Sequence, residues 1–149
     1  MRDPKDMFHI LLIEDDMGDA GLVRIAIRRS ERHVTLHHVT DGQDGMALLR
    51  GMPVAGQAPC QPDLILLDLN LPGRSGHEIL QDIKTDPQLS LIPVIVLSTS
   101  DAERDIRRAY ALGANSFISK PMDVEDFTRA IHSIMSYWFE ICCLAVSST

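Results

Sequence analysis

Cationic side chains are scarce in this chain of 149 residues, which has 14 Lys and Arg against 21 Asp and Glu and a formal net charge of −7. Neutralising phosphates needs clustered Lys and Arg, so this balance disfavours nucleic acid and anionic membranes as direct partners. Apolar runs long enough to span a bilayer are lacking too. The start at Met1–Asp6 is charged and the run Phe8–Ile13 is short, so we expect no signal peptide. These features predict a cytoplasmic protein.

Cysteine is also rare, and the positions of Cys60, Cys142 and Cys143 do not have the spacing of a metal site. Two adjacent cysteines are poorly placed to bind one tetrahedral metal together, so we expect ordinary reduced thiols. The histidines are scattered, and we assign them no chemistry. A chain of this length buries roughly two thirds of its unfolded surface without disulfides or a structural metal. We therefore expect a single domain over residues 1–149.

Three largely apolar runs predict strands buried on both faces, as in a parallel sheet: Phe8–Ile13, the unbroken Leu64–Leu67, and Ile92–Leu97. Two further segments, Thr35–Val39 and Asn115–Ser119, predict shorter strands. The first of these two is more polar, which is typical of a sheet edge.

Helix start signals follow every predicted strand. Asp16, Asp41 and Asp123 have the position of N-cap residues, and Ser75 with Glu78 forms a capping box. Ser100 with Glu103 predicts a second capping box. Five strands that alternate with five helices predict an α/β fold, in which right-handed crossovers cover both faces of a parallel sheet.

The segment 51–61 contains Gly51, Pro53, Gly56 and Pro59 and predicts a loop that is longer than usual. We expect this loop insertion to be mobile. A tolerated surface insertion is the favoured interpretation, and a functional loop is the alternative.

Polar residues follow the apolar runs, at Glu14 and Asp15, at Asp68, at Ser98 and at Lys120. An aspartate after a strand is often only a loop or capping residue. In a parallel sheet, however, the carboxyl ends of the strands share one edge, where ligands bind. Carboxylates crowded there repel by ~4 kcal/mol per pair at ~4 Å and an effective dielectric of ~20. A divalent cation and one lysine would offset this repulsion.

Oxygen ligands alone favour Mg²⁺ over zinc. An ionised aspartate beside Mg²⁺ and Lys120 is a plausible phosphoryl acceptor, because both cations neutralise the oxygens on which charge accumulates. The hydroxyl of Ser98 has the chemistry to hydrogen-bond a phosphoryl oxygen. The residues therefore make Asp68 a candidate phosphoryl acceptor.

These residues resemble the receiver domain of two-component response regulators, the CheY-like family, over nearly the whole chain. The separation of 30 residues from Asp68 to Ser98 and of 22 from Ser98 to Lys120 matches the family. The resemblance implies a flavodoxin-like (βα)5 sheet with strand order 2-1-3-4-5, and these roles for individual residues: Asp68 as phosphoacceptor, Ser98 as hydroxyl switch, Lys120 as phosphate contact, Phe117 as switch aromatic, and Glu14, Asp15, Asp68 and the backbone carbonyl of Asn70 as the Mg²⁺ ligands.

The loop 51–61 and the segment Tyr137–Glu140 are similar to those of small stand-alone regulators that pair with phytochrome-type histidine kinases. Two departures from the family pattern stand out. Ser98 replaces the commoner Thr, and Glu14 replaces the more usual Asp. The longer Glu14 side chain either reaches metal-bound water or folds away.

The segment 123–142 predicts a C-terminal helix. Apolar positions 124, 127, 131, 134, 138 and 141 form one stripe, and Met135, Phe139 and Cys142 form a second. One helix cannot press both stripes onto a single sheet face, so we expect Tyr137, Trp138 and Phe139 to form a homodimer surface. The alternative is that this end folds against its own domain.

Three functions compete. The favoured one is a single-domain response regulator, not an enzyme, that accepts phosphoryl from a sensor histidine kinase and signals by protein contact. A phosphatase of the haloacid dehalogenase type is the second, but it needs an acid two residues after the nucleophile, where this chain has Asn70. An interaction module that does not depend on phosphorylation is the third.

Overall fold

A computed structural model describes residues 7–59 and 61–144. The strands are β1 (Phe8–Ile13), β2 (Val34–Val39), β3 (Leu64–Leu67), β4 (Val94–Ser98) and β5 (Ser116–Ser119). They form one parallel sheet with the order β2-β1-β3-β4-β5. The predicted α/β fold and its strand order are therefore confirmed.

Five helices connect the strands: α1 (Met17–Arg29), α2 (Gly42–Leu49), α3 (Gly76–Thr85), α4 (Glu103–Ala111) and α5 (Val124–Ser136). A 3-10 turn at Leu89–Leu91 precedes β4, and a π-helical segment at Tyr137–Ile141 follows α5. None of these described helices is long and apolar enough to cross a bilayer.

The sheet separates two hydrophobic cores. Leu11, Ile13, Ile65 and Leu67 face the core that holds α2 and α3 residues. Their neighbours along the strands face the other core, which α1 and α5 cover. All four residues of β3 are buried, whereas β2 is mostly half-buried at the sheet edge. This contrast explains the unbroken apolar run of β3 and the polar character of β2.

Side-chain caps begin four of the five helices, as predicted. Asp16, Asp41, Ser75 and Asp123 each accept a backbone N–H from the first turn that follows. The predicted capping box at Ser100 and Glu103 is wrong, because α4 begins two residues too late for it and Ala102 holds the N-cap position.

The start of β4 and the end of α5 also differ from the prediction. Ile92 follows the 3-10 turn, and the strand begins at Val94 because Pro93 has no N–H to donate. The α-helix ends at Ser136, and the chain then widens into a π turn in which the Cys142 N–H donates to the Tyr137 carbonyl at 2.8 Å.

This wider turn changes where the aromatic residues lie. Phe139 stacks on Phe8 with ring centroids 4.2 Å apart, and Trp138 packs against the second core. Two of the three rings predicted to face a partner therefore contact their own domain. The two stripes are not both fully buried, as the premise requires: Val124 and Ile141 of the first stripe are exposed, whereas Met135 and the half-buried Phe139 of the second stripe pack on the second core.

Residues of the loop 51–61 that the structure describes pack on the edge of the sheet. Val54 and Gln57 form an isolated bridge, and the Gln57 amide donates to the His38 carbonyl at 2.9 Å. Cys60 lies outside the described residues. Cys142 and Cys143 are free thiols, as expected.

The start of α3 lies against the end of β3. A Cβ on Gly76 would lie 2.4 Å from the Asp68 carbonyl oxygen and 2.5 Å from the Leu69 Cα. The Gly76 N–H also donates to the Leu69 carbonyl at 2.9 Å. Glycine at this position therefore lets the helix come close enough to fix the backbone that carries Asp68.

Candidate functional site

An acidic cluster lies at the carboxyl edge of the sheet, after β1 and β3. Glu14, Asp15 and Asp68 each place a carboxylate oxygen within 4.8 Å of the others. Glu14 and Asp68 are buried, at 1% and 5% exposure, and Asp15 is exposed. The parallel register brings them together, because Ile13 of β1 pairs directly with Leu67 of β3.

Lys120 follows the edge strand β5, and its side chain reaches the acidic cluster after β1 and β3. Its Nζ lies 2.5 Å from Glu14 Oε1, 2.8 Å from Asp19 Oδ2 and 3.7 Å from Asp68 Oδ2. The Lys120 side chain is only 5% exposed. At rest, therefore, two of its three N–H groups donate to Glu14 and Asp19, and Asp68 lies just beyond hydrogen-bond reach.

The charges of this cluster do not balance. Burial, followed by hydrogen bonding with Asp68, raises the pKa of Glu14 from 4.5 to about 8, although Lys120 acts in the opposite direction. Burial alone would lower the pKa of Lys120, but its hydrogen bonds to Asp19 and Glu14 raise it. The ammonium therefore stays charged, and at neutral pH Glu14 retains its proton.

Glu14 points into the site and does not fold away from it. Besides its contact with Lys120, its Oε2 accepts the Asp16 backbone N–H at 3.3 Å. The longer glutamate side chain thus links the end of β1 to both Lys120 and the start of α1.

Ser98 is fully buried at the end of β4. Its Oγ accepts the Ser100 backbone N–H at 3.2 Å, and its carbonyl accepts the Lys120 backbone N–H at 2.8 Å. The structure therefore places Ser98 and Lys120 on adjacent strand ends. It also assigns Ser100 a role other than helix capping, because the Ser100 hydroxyl donates to Asp105 Oδ2 at 2.7 Å.

The two remaining predicted site residues lie beside the acidic cluster and on β5. The Asn70 backbone N–H donates to Asp68 Oδ1 at 3.3 Å. Phe117 packs against the first core, and its N–H donates to the Tyr110 hydroxyl at 3.1 Å. Asn70 thus contacts the acidic cluster directly, whereas Phe117 connects the β5 edge to α4.

Reading the sequence missed two residues that contact this site. Asp19 lies in the first turn of α1, and its side chain binds Lys120. His38 was assigned no chemistry, yet its Nε2 lies 2.8 Å from the Glu14 carbonyl oxygen. The sequence could have indicated Asp19, since it follows the acidic pair by about one helical turn. Nothing in the sequence indicated His38, because only the β1–β2 register brings it near Glu14.

The donor set fits a magnesium ion. Glu14, Asp15 and Asp68 supply carboxylate oxygens, which Mg²⁺ prefers. Burial is the main cause of the raised pKa of Glu14, so this carboxyl group is costly to ionise without a further counter-charge. A divalent cation would replace the Glu14 proton as the counter-charge.

Comparison with known proteins gives a consistent result. The family model described as the response regulator receiver domain matches residues 10–132. The response regulator Rcp1 of Synechocystis sp. is 38% identical over 135 residues, which cover 91% of this chain and 91% of Rcp1. FilR2 of Methanothrix harundinacea, a probable methanogenesis regulatory protein, is 39% identical over 134 residues, covering 90% of this chain and 85% of FilR2.

Solved structures agree with these relatives. The phosphorylated cyanobacterial phytochrome response regulator RcpA superposes with a TM-score of 0.88 at 38% identity, covering 95% of this chain and 100% of RcpA. The Mn²⁺-bound form of Rcp1 superposes with a TM-score of 0.85 at 37% identity, covering 93% of this chain and 99% of that one.

We predict that Mg²⁺ binding releases a proton at pH 7. Glu14 binds a proton below about pH 8 in the metal-free protein, and the metal needs the carboxylate. The apparent Mg²⁺ affinity should therefore rise with pH and level off above about 8. Titration calorimetry in buffers of different ionisation enthalpy measures the released proton directly.

Glu14→Gln is the control for this proton. This variant should bind Mg²⁺ more weakly, and its binding enthalpy should depend much less on the ionisation enthalpy of the buffer. Equal binding enthalpies for the unsubstituted protein in every buffer would contradict a protonated Glu14.

Proposed function

The chain belongs to the family of response regulator receiver domains, and from that premise we propose that Asp68 is the residue that accepts the phosphoryl group. The resemblance drawn from the sequence is thus confirmed at the level of the family. One observation supports the role of Asp68 above all: its carboxylate lies within 4.8 Å of those of Glu14 and Asp15 and 3.7 Å from the Lys120 ammonium.

The chemistry follows from that position. An Asp68 oxygen attacks the phosphorus of a phosphohistidine on the kinase, the P–N bond breaks, and the imidazole leaves with the electron pair and takes up a proton. Lys120 balances the charge that appears on the phosphoryl oxygens. Glu14, Asp15, Asp68 and the backbone carbonyl of Asn70 would hold Mg²⁺. When bound, Mg²⁺ supplies positive charge to the same oxygens.

Ser98 and Phe117 are proposed to carry the switch. To donate to a phosphoryl oxygen, the Ser98 hydroxyl turns away from the Ser100 N–H that it now accepts. That movement frees the loop between β4 and α4. It also shifts the population of conformations available to the face formed by α4, β5 and α5, on which Phe117 lies. Signalling then proceeds by protein contact, so we propose a signalling module, not a catalyst.

We propose a phytochrome-type histidine kinase as the partner, in the cytoplasm. RcpA, which is named as a phytochrome response regulator, supports this pairing by its similarity along the whole chain. FilR2 is equally similar and is named for a different process. A direct phosphotransfer assay therefore has to decide the pairing.

We also propose that residues 1–149 act as one receiver domain that forms homodimers through the end of the segment 123–142. Tyr137 is 51% exposed and Ile141 is 71% exposed, so they leave apolar area open at this end. Trp138 contributes only the part of its ring that the core leaves open. Phe139 supports this surface from inside by stacking on Phe8.

Incubation with acetyl phosphate and Mg²⁺ is predicted to add one phosphoryl group, measured by intact mass. Asp68→Asn should abolish the added mass, because an amide is not a phosphoryl acceptor. Ser98→Ala should still be labelled, since its hydroxyl acts after the transfer. Labelling that persists in Asp68→Asn would refute the assignment.

The kinase is tested in the same assay by replacing acetyl phosphate with autophosphorylated kinase. Transfer from a phytochrome-type kinase should be at least tenfold faster than from an unrelated histidine kinase. Equal rates from both kinases would remove the proposed pairing without affecting Asp68.

The dimer is predicted to weaken in Tyr137→Glu, because the substitution puts a charge into an apolar contact. Light scattering over a concentration series measures the change as a higher dissociation constant. Met52→Glu, at a residue that is 59% exposed and lies in the loop 51–61, is the matched control and should change nothing. A chain that is monomeric at high micromolar concentration, phosphorylated or not, would refute the dimer.

A further inference from the structure

Asp19 contacts the phosphorylation site although the family resemblance assigned it no role there. It lies in the first turn of α1, and its Oδ2 accepts a hydrogen bond from Lys120 Nζ at 2.8 Å. Asp68 Oδ2, on the proposed phosphoryl acceptor, is farther from the ammonium, at 3.7 Å. At rest, Lys120 thus binds Asp19 more closely than it binds the phosphoryl acceptor.

The position of Asp19 is fixed by its neighbours. Its backbone N–H donates to Asp16 Oδ1 at 3.0 Å, and the Asp16 N–H in turn donates to Glu14 Oε2 at 3.3 Å. The first turn of α1 is therefore joined to the acidic cluster by two consecutive hydrogen bonds. The Asp19 side chain is 27% exposed, whereas that of Lys120 is 5% exposed, so Asp19 meets the ammonium from the solvent side.

We propose that Asp19 is a positioning residue that holds the Lys120 ammonium at rest, offsets part of its charge and thereby slows phosphorylation of Asp68. This inference rests on the proposed function of Asp68.

The physical reason is electrostatic competition. A dianionic phosphoryl donor that approaches Asp68 is attracted by Lys120 and repelled by every carboxylate around it. Asp19 adds one such carboxylate and also draws the ammonium away from Asp68. After the transfer, Asp19 and the phosphoryl group compete for the same N–H donors, so Asp19 acts against the phosphorylated state.

Asp19→Asn separates charge from position, because an amide oxygen still accepts the Lys120 hydrogen bond but carries no charge. With saturating Mg²⁺ and low ionic strength, this variant should be phosphorylated by acetyl phosphate about tenfold faster than the unsubstituted chain. The advantage should shrink as salt is added, since salt screens exposed charges. Intact mass against time measures both rates.

Asp44→Asn is the matched control. Asp44 is the first-turn carboxylate of α2, and its N–H donates to the N-cap Asp41 at 2.7 Å, as the Asp19 N–H does to Asp16. The substitution removes the same charge from the same helical position outside the site. Its phosphorylation rate should stay within twofold of the unsubstituted protein.

A second readout separates this role from simple damage to the site. Loss of a nearby negative charge should weaken Mg²⁺ binding several-fold in titration calorimetry, while phosphorylation at saturating Mg²⁺ becomes faster. A distorted site would lower both quantities together.

The phosphorylation rates test the function of Asp68 and the role of Asp19 separately. If the unsubstituted protein takes up no phosphoryl group, the proposed function is overturned. If it is labelled, and Asp19→Asn reacts at the same rate or more slowly at low salt, the role of Asp19 is overturned while the function of Asp68 stands. Faster phosphorylation of Asp19→Asn together with weaker Mg²⁺ binding supports the proposal that Asp19 slows phosphorylation of Asp68.

Discussion

A single buried ammonium offsets the repulsion among carboxylates at the end of the sheet, and most of the site depends on it. Lys120 contacts Glu14 and Asp19 directly and lies 3.7 Å from Asp68. Without this charge, the carboxylates from β1, α1 and β3 would repel one another in a buried pocket. Even with it, burial raises the pKa of Glu14 to about 8, which leaves the site suited to accept further positive charge.

The fold creates this crowding by simple means. Parallel strands end at one edge, and the register of β1, β3, β4 and β5 delivers one polar residue after another to that edge. Gly76 lets α3 approach the Asp68 backbone, and His38 binds the Glu14 carbonyl from the edge strand. Asp68 and Glu14 are thus positioned by backbone contacts, and Lys120 by its side-chain partners.

The sequence contained most of the sheet and the members of the site. The unbroken run Leu64–Leu67 identified the central strand, because a strand buried on both faces needs apolar side chains on both. The contact between Asp19 and Lys120 could not be predicted from the sequence, since it depends on how the side chains of α1 and of the residue after β5 are oriented. The position of Phe139 was missed for a similar reason: an α-helical projection does not foresee the π turn that brings its ring onto Phe8.

The structure of the protein with Mg²⁺ and beryllofluoride, which mimics an aspartyl phosphate, tests the central claim most directly. The account predicts that both the Lys120 ammonium and the Ser98 hydroxyl contact fluoride, and that Ser98 Oγ no longer accepts the Ser100 N–H. A fluoride bound on Asp68 while Lys120 stays on Glu14 and Asp19 and Ser98 stays on Ser100 would contradict it.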